Sequence, residues 1–250
     1  MVSADLARFI VGVIGNVISF GLFLSPLPTF YQIIKKKSVE EFKPDPYIAT
    51  VLNCMFWVFY GMPFVHPDSM LVITINSVGL VLEMIYLTIF FIFADYRGRT
   101  KVCISILIEL IFVSIVIHIT TLALHGTKNR SLLVGIVCDI FNVLMYVSPL
   151  TIMKKVIQTR SVKYMPFTLS LANFFNGCIW TSYALIKFDI YILICNSIGV
   201  VSGVLQLFIY AYYSITGSKE EEIIEKEPTK EPTKEPTKLQ LSVVEAPCKV

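Results

Sequence analysis

The chain has 250 residues, of which 55% are hydrophobic and 16% charged, and its formal net charge is only +3. An ordinary soluble domain carries about 25% charged residues, so most of this chain is expected to lie in lipid. The mild charge, without a basic stripe, argues against nucleic-acid binding. The sequence has no metal-ligand cluster, HExxH motif or nucleophile elbow, so we expect neither an enzyme nor a bound cofactor or metal.

Seven apolar segments are long enough to cross a bilayer, which takes about 20 residues. Backbone polar groups in lipid must be bonded within their own segment, so each is predicted to be a helix. The predicted spans are 6–34, 47–65, 70–94, 102–124, 131–157, 167–186 and 191–214.

The charges of the loops predict on which side of the membrane each end of the chain lies. Lysine and arginine are concentrated in the loops after spans one, three and five. The positive-inside rule then predicts an extracellular N-terminus and a cytosolic C-terminus. The polar tail from 218 contains three Lys-Glu-Pro-Thr units, and because proline recurs every fourth residue we expect it to be disordered.

The chain repeats itself at an offset of 123 residues, which relates its only two tryptophans, Trp57 and Trp180. An asparagine precedes each tryptophan by four residues, a Ser-Pro-Leu motif recurs at the same offset, and an Asn-Ser-x-Gly motif recurs at an offset of 120. Spans one to three therefore match spans five to seven, and span four has no counterpart. Because three spans reverse the direction of the chain, the extra span gives both repeats the same orientation.

The predicted fold is thus all-α integral membrane, with seven transmembrane helices arranged as two parallel three-helix repeats plus one linker helix (3+1+3). We expect a first repeat at 1–96, the linker helix at 97–128, a second repeat at 129–217 and the tail at 218–250.

With these paired motifs, the sequence resembles the plant SWEET sugar transporters over residues 5–215. Parallel repeats are known for this family. The resemblance implies a bidirectional facilitator that moves sugar down its gradient by alternating access.

A sugar presents hydroxyl groups around its ring and apolar C–H patches on its faces, so its site needs amides and flat aromatic rings. Asn76 and Asn196 supply a repeat-related pair of amides, and Trp57 and Trp180 supply the rings. The resemblance implies that these four residues line a central pocket. The alternatives are interhelical hydrogen bonds for the asparagines and positions at the membrane interface for the tryptophans.

Four further positions resemble those that family comparisons link to sugar choice, namely Leu22, Asn53, Met145 and Asn176. Their large side chains resemble those of monosaccharide carriers, so glucose is the expected substrate and a sucrose-transporting member is the alternative. Ser19 and Asn142, one helical turn earlier, are candidate polar contacts.

The resemblance also implies moving parts. Four prolines match the family's hinges, Pro26, Pro46, Pro149 and Pro166, with static kinks or helix starts as the alternative. Tyr60 and Asp189 match a pair that closes the outer side by a hydrogen bond from the phenol to the carboxylate. A solvated loop charge is the alternative for Asp189.

Four ionisable residues lie inside predicted spans, namely Glu83, Glu109, His118 and Asp139. None has a counterpart in the other repeat, so packing or interface roles are favoured over proton coupling. The competing functions are a proton-coupled transporter of amino acids or another small solute and a seven-helix receptor. A receptor has no reason to repeat three of its spans.

The sequence therefore predicts a multi-pass monosaccharide uniporter of the plasma membrane. Its expected partners are the sugar and the lipid bilayer, with no nucleic acid. The resemblance implies homo-oligomers, and hetero-oligomers with relatives stay open.

Overall fold

A computed structural model describes residues 3–226, with side chains described for residues 3–216. Within that range the chain forms nine α-helices and no β-strand. The helices are α1 (Ala4–Phe23), α2 (Leu27–Lys36), α3 (Asp45–Gly61), α4 (Met70–Phe93), α5 (Tyr96–His118), α6 (Thr127–Met145), α7 (Val147–Thr159), α8 (Phe167–Ile186) and α9 (Ile190–Lys226). A π-helical turn, Ile119–Ala123, follows α5, and a short 3-10 turn, Val162–Tyr164, precedes α8.

Predicted spans one and five are each divided into two helices at a proline. Pro26 has no N–H to bond the carbonyl of Leu22, which instead accepts a 3.0 Å bond from the N–H of Ser25. Pro149 stands in the first turn of α7. Its missing N–H interrupts the helical ladder just after α6 ends. Both prolines therefore mark the junctions between consecutive helices, and their role as hinges stays a prediction.

The other two prolines lie at helix starts. Pro46 is in the first turn of α3, and Pro166 is the residue immediately before α8. Proline is tolerated there because the first N–H groups of a helix have no partner within it. The predicted kink inside a helix is therefore not observed at Pro46 and Pro166.

Several predicted boundaries differ from the structure, and α6 begins at Thr127 rather than 131. Helix α3 ends at Gly61 rather than 65, and α5 begins at Tyr96 rather than 102 because Asp95 caps it by accepting a 2.8 Å bond from the N–H of Gly98. Helix α9 continues to Lys226, through part of the segment predicted to be disordered. Nearly all of the Lys-Glu-Pro-Thr repeats lie outside the described residues.

Five helical segments are long and apolar enough to cross a membrane by length and composition. They are Ala4–Lys36, Met70–Phe93, Tyr96–Ala123, Thr127–Thr159 and Ile190–Thr216. Helix α3 has 17 residues, fewer than the roughly 20 that cross a bilayer. Helix α8 is less apolar because it carries asparagines on its cavity-lining face. These two helices complete the seven predicted spans.

Six helices form a closed ring in the order α1–α4–α3–α6–α9–α8. In the first half α4 lies between α1 and α3, and in the second half α9 lies between α6 and α8. Helix α5 packs outside the ring, against α3 and α4. The same helix order in both halves, with one helix left over, confirms the 3+1+3 arrangement. The domain limits at 96, 128 and 217 stay predictions.

Glycine allows the first and last helices of each repeat to approach closely. A Cβ atom added to Gly79 on α4 would overlap the ring of Phe23 at the end of α1. A Cβ atom added to Gly199 on α9 would lie 2.6 Å from the hydroxyl of Tyr146 at the end of α6. The glycine of each Asn-Ser-x-Gly motif thus leaves room for an aromatic ring beside the bend, Phe23 in the first repeat and Tyr146 in the second.

Candidate functional site

A cavity of about 470 Å³ occupies the centre of the ring. It extends from the level of the two tryptophans to the level of Pro26, Pro46 and Pro149. We call that end of the bundle the proline side, and the opposite end, which holds Asp68 and Asp189, the aspartate side. All ten residues predicted to bind substrate line the cavity, namely Ser19, Leu22, Asn53, Trp57, Asn76, Asn142, Met145, Asn176, Trp180 and Asn196.

The two tryptophans are equivalent in their surroundings. Each is only 6% exposed, and each meets a tyrosine one turn later edge to face. The ring centroids are 5.3 Å apart for Trp57 and Tyr60 and 5.2 Å apart for Trp180 and Tyr183. Both indoles are buried at the cavity wall, so the alternative of membrane-interface positions is not observed.

Asn76 and Asn196 also match each other. The side-chain N–H of Asn76 donates to the carbonyl of Val72 at 2.9 Å, and that of Asn196 donates to the carbonyl of Ile192 at 2.8 Å. Each bond stays within its own helix, in contrast to the interhelical alternative. The amide oxygen and the second N–H hydrogen of each asparagine are left for a ligand in the cavity.

The two interfaces between the repeats, α1–α8 and α3–α6, differ in their side-chain hydrogen bonds. Ser19 donates a 2.6 Å bond to Oδ1 of Asn176 and accepts a 3.0 Å bond from Nε1 of Trp180. Among the described residues, the side chain of the equivalent Asn142 bonds only the carbonyl of Cys138 in its own helix, 3.3 Å away. Oδ1 of Asn53 is buried without a hydrogen-bond partner in the described part of the chain. The α1–α8 interface between the repeats is therefore bridged by side-chain hydrogen bonds, whereas at the α3–α6 interface the equivalent residues Asn142 and Asn53 leave polar capacity to spare.

Sequence reasoning missed two further repeat-related pairs in the wall. Thr50 and Asn173 line the cavity, as do Phe23 and Tyr146, and each pair is separated by the same offset of 123 residues. That offset, applied to every polar and aromatic position in the spans, is the signal that would have found them.

Tyr60 and Asp189 close the aspartate side, where both side chains are buried. The Tyr60 hydroxyl donates a 2.9 Å bond to Oδ1 of Asp189. The same oxygen accepts from the backbone N–H groups of Tyr191 and Ile192 at the start of α9. Asp189 is 3% exposed, so the alternative of a solvated loop charge is not observed.

His66 is a third member of this contact, and sequence analysis did not single it out. Its Nε2 lies 3.1 Å from Oδ2 of Asp189. Its Nδ1 lies 3.2 Å from the Tyr60 hydroxyl and 3.0 Å from Oγ of Ser131. Both hydroxyl groups donate to other acceptors: Tyr60 donates to Asp189, and Ser131 donates to the carbonyl of Val65. Both ring nitrogens of His66 thus lie within hydrogen-bonding distance of oxygen atoms that can accept.

These contacts lower the pKa of Asp189. Burial acts in the opposite direction by disfavouring the charged carboxylate. The hydrogen bond and positive charge of His66, the N–H of Ile192 and the Tyr60 hydroxyl together outweigh it. The carboxylate form is therefore the one that the closed aspartate side stabilises.

A second cluster covers the aspartate side around Tyr183, the repeat counterpart of Tyr60. The guanidinium of Arg8 lies 4.3 Å from the centroid of the Tyr183 ring, and its Nη1 donates to the carbonyl of Asp68 at 3.1 Å. Lys187, which is partly exposed, bridges Asp5 and Asp68. At the opposite end the rim residues Ser25 and Pro46 are exposed. The cavity is therefore closed on the aspartate side and reaches the surface on the proline side.

The ionisable residues of the spans are placed differently from one another. Glu83 lines the cavity, whereas a packing position was expected. Asp139 accepts a 2.6 Å bond from the thiol of Cys195, and the ring of His118 contacts the carbonyl of Ser114 at 2.7 Å. Glu109 is buried on α5, outside the ring.

Comparison with known proteins agrees with this architecture. The profile of a family described as "Sugar efflux transporter for intercellular exchange" matches residues 9–98 and again residues 132–217. The chain is 59% identical over 227 residues to the bidirectional sugar transporter SWEET5 of Arabidopsis thaliana, covering 91% of this chain and 95% of that protein. It is 54% identical over 226 residues to the bidirectional sugar transporter SWEET7b of Oryza sativa subsp. indica, covering 90% and 85%.

A solved structure of a eukaryotic SWEET transporter superposes with a TM-score of 0.82 at 35% sequence identity. The match covers 84% of this chain and 98% of that chain. The repeated family match, the high identity to transporters and the shared fold lead to one conclusion. The chain belongs to the SWEET family of sugar transporters and is a multi-pass membrane transporter rather than an enzyme.

Proposed function

We propose that the chain is a uniporter for monosaccharides, with glucose as its substrate, and that it works by alternating access. The observation that carries this proposal is the pairing of amides and indoles around one cavity: Asn76 and Asn196 for the hydroxyl groups, and Trp57 and Trp180 for the faces of the ring. Leu22 and Met145 add two large apolar side chains to the wall, which supports a small sugar rather than a disaccharide.

The proposed cycle exposes the cavity to one side of the membrane at a time. The structure corresponds to the state in which the aspartate side is closed and the proline side is open. Opening of the aspartate side requires the Tyr60–Asp189 contact to break, and the bends at Pro26 and Pro149 are the proposed hinges. Pro46 and Pro166, at helix starts, are proposed to act at the ends of α3 and α8.

We further propose that the transporter resides in the plasma membrane with its N-terminus outside and its proline side facing the cytosol. The lysine- and arginine-rich loops at the proline side support this orientation. An epitope tag on the N-terminus should be detected on intact cells, and a tag on the C-terminus only after permeabilisation. The family resemblance supports homo-oligomers, which crosslinking in native membranes should capture.

Uptake of labelled sugars by cells that lack their own sugar carriers tests the substrate. Glucose should enter faster than in cells with an empty vector, and sucrose should not. Asn196→Ala should abolish glucose uptake, whereas Asn129→Ala, at an exposed position away from the cavity, should leave it intact. Sucrose uptake equal to glucose uptake would refute the monosaccharide proposal, and loss of uptake on collapse of the proton gradient would refute uniport.

A further inference from the structure

Glu83 is the acidic side chain in the cavity wall. It lies on α4, seven residues and two helical turns after Asn76, so both residues share one face of the helix. Glu83 is 4% exposed, and its Oε2 has no hydrogen-bond partner among the described residues. No ion pair joins it to any cation in that part of the chain. Its interacting titratable neighbours are Tyr47, Cys54 and Tyr86.

The second repeat has no such group. The offset of 120 places Gly203 opposite Glu83 in the alignment of the repeats. The buried polar side chains near Gly203 bond one another, since Ser170 contacts Gln206 at 3.2 Å and Gln206 donates to Ser202 at 3.3 Å. Buried polar atoms nearly always have a partner, so an unpartnered carboxyl oxygen at a cavity wall points to a ligand.

Glu109 shows that an unpartnered oxygen alone does not identify a site. It is 8% exposed, and its Oε2 also lacks a partner in the described part of the chain. However, Glu109 is on α5, outside the ring, and does not line the cavity. Glu83 differs in its position, and Glu109 is therefore a matched control.

The position of Glu83 fits a contact with a sugar that also meets the asparagine pair. Seven residues of helix separate Asn76 from Glu83 by about 10 Å along the axis, toward the proline side. Side chains in a helix lean back toward its N-terminus, so the carboxyl group of Glu83 approaches the level of Asn76. A carboxyl oxygen accepts hydrogen bonds from hydroxyl groups, the groups that a sugar presents.

We propose that Glu83 binds the sugar by accepting a hydrogen bond from one of its hydroxyl groups. Asn76 and Asn196 are related by the repeat, as are Trp57 and Trp180, so these two pairs offer a sugar two similar orientations. Glu83 has no counterpart, so it makes one orientation preferred while the proline side is open. This inference rests on sugar binding in the cavity as proposed above.

The test measures the KM for glucose uptake of the full-length transporter, which does not depend on the amount of protein at the cell surface. Glu83→Ala removes the acceptor, and Glu83→Leu does so at nearly constant volume if the alanine variant folds poorly. Both should raise the KM about tenfold, the effect of one lost hydrogen bond. Glu83→Gln keeps an acceptor oxygen and should recover to within about threefold of the wild type. Glu109→Ala should leave the KM unchanged.

A series of monodeoxy glucose analogues separates binding from packing. One analogue should lack the hydroxyl that Glu83 bonds. For the wild type, its affinity should be about tenfold lower than that of glucose. For Glu83→Ala, the affinities of this analogue and of glucose should be equal. An equal loss against every analogue, or no change in KM, would overturn the inference in favour of a packing role. A Glu83→Gln variant as defective as Glu83→Ala, with wild-type uptake driven by external acid, would overturn it in favour of proton carriage. If the wild type does not take up glucose, the monosaccharide proposal fails, and the same comparison is made with sucrose and its deoxy analogues.

Discussion

The hydroxyl of Tyr60 and the carboxylate of Asp189 join the two repeats across the aspartate side at 2.9 Å. The repeat counterpart of Tyr60 makes a much weaker contact. The hydroxyl of Tyr183 reaches only the carbonyl of Asp68, at 3.5 Å. Closure of this side therefore depends unequally on two tyrosines that the sequence makes equivalent.

Tyr60→Phe should favour the state that is open on the aspartate side. The substitution removes one hydrogen bond to a charged group, worth about 1.5–3 kcal/mol, which corresponds to a population shift of about tenfold or more. A cysteine introduced at Val72, a cavity residue that is 3% exposed, reports the opening. Its labelling by a membrane-impermeant maleimide applied outside should be faster by that factor in Tyr60→Phe/Val72→Cys than in Val72→Cys alone, and the parent that keeps valine gives the background labelling of the native cysteines.

Tyr183→Phe is the matched control for this experiment. It removes a hydroxyl from the equivalent position with no strong bond to lose, so the labelling rate should change less than threefold. Equal acceleration by the two substitutions would show that the hydroxyl of Tyr60 has no special part in closure.

The dependence of stability on pH should identify Asp189 as a charged partner. A pKa below the ordinary value means that the stability contributed by Asp189 is fully present above its unfolded pKa of about 3.9 and is lost as the pH falls through the lower folded value. Asp189→Asn should therefore lower the unfolding free energy by about 3 kcal/mol at pH 7. Its Tm should stay below that of the wild type from pH 8 to pH 5, and the gap should narrow only below about pH 4.

Asp68→Asn is the corresponding control at an exposed carboxylate. Its ion pair with Lys187 lies at the surface, where such pairs contribute about 0–1 kcal/mol. A gap between the wild type and Asp189→Asn that already closed between pH 7 and pH 5 would contradict the lowered pKa of Asp189.

The order of helices and the cavity wall were predictable because their signals are local or periodic. Hydropathy located the seven spans, and one offset related Trp57 to Trp180 and Asn76 to Asn196. A shared position in two copies of one unit implies a shared place around the axis between them. All ten predicted cavity residues lie in the wall, and the family resemblance, rather than the repeat alone, pointed to Leu22, Asn53, Met145 and Asn176.

The remaining features depend on how the helices are rotated against each other and on the loops, which no periodicity encodes. The bonds of Ser19 to Asn176 and Trp180 join residues more than 150 positions apart. His66 lies in a loop between α3 and α4, outside both motifs. Glu83 could not be assigned to the cavity because it has no repeat partner, and the absence of a partner was the reason for expecting a packing role.

Ser19→Ala should weaken sugar binding through the residues that Ser19 holds. The substitution leaves the buried N–H of Trp180 and the amide oxygen of Asn176 without their partner, at a cost of about 1–3 kcal/mol. We expect a lower Tm and a KM for glucose raised about fivefold or more. Asn142→Ala removes only a 3.3 Å bond within its own helix, so its Tm should fall less. A larger loss of Tm for Asn142→Ala would contradict the asymmetry of the α1–α8 and α3–α6 interfaces.

Gly203→Ala should destabilise the second repeat at the place where the first has Glu83. A Cβ atom at Gly203 would lie 2.9 Å from the Cα atom of Phe174, and backbone, unlike the end of a side chain, does not rotate away. Helices α8 and α9 would have to separate, at a cost of about 1–3 kcal/mol, which a lower Tm of the purified protein would report. Gly21→Ala, where an added Cβ meets nothing within 4 Å, should leave the Tm unchanged. Equal Tm values for both variants would show that α9 tolerates a side chain at 203, and close packing would no longer explain why only one repeat has an acid there.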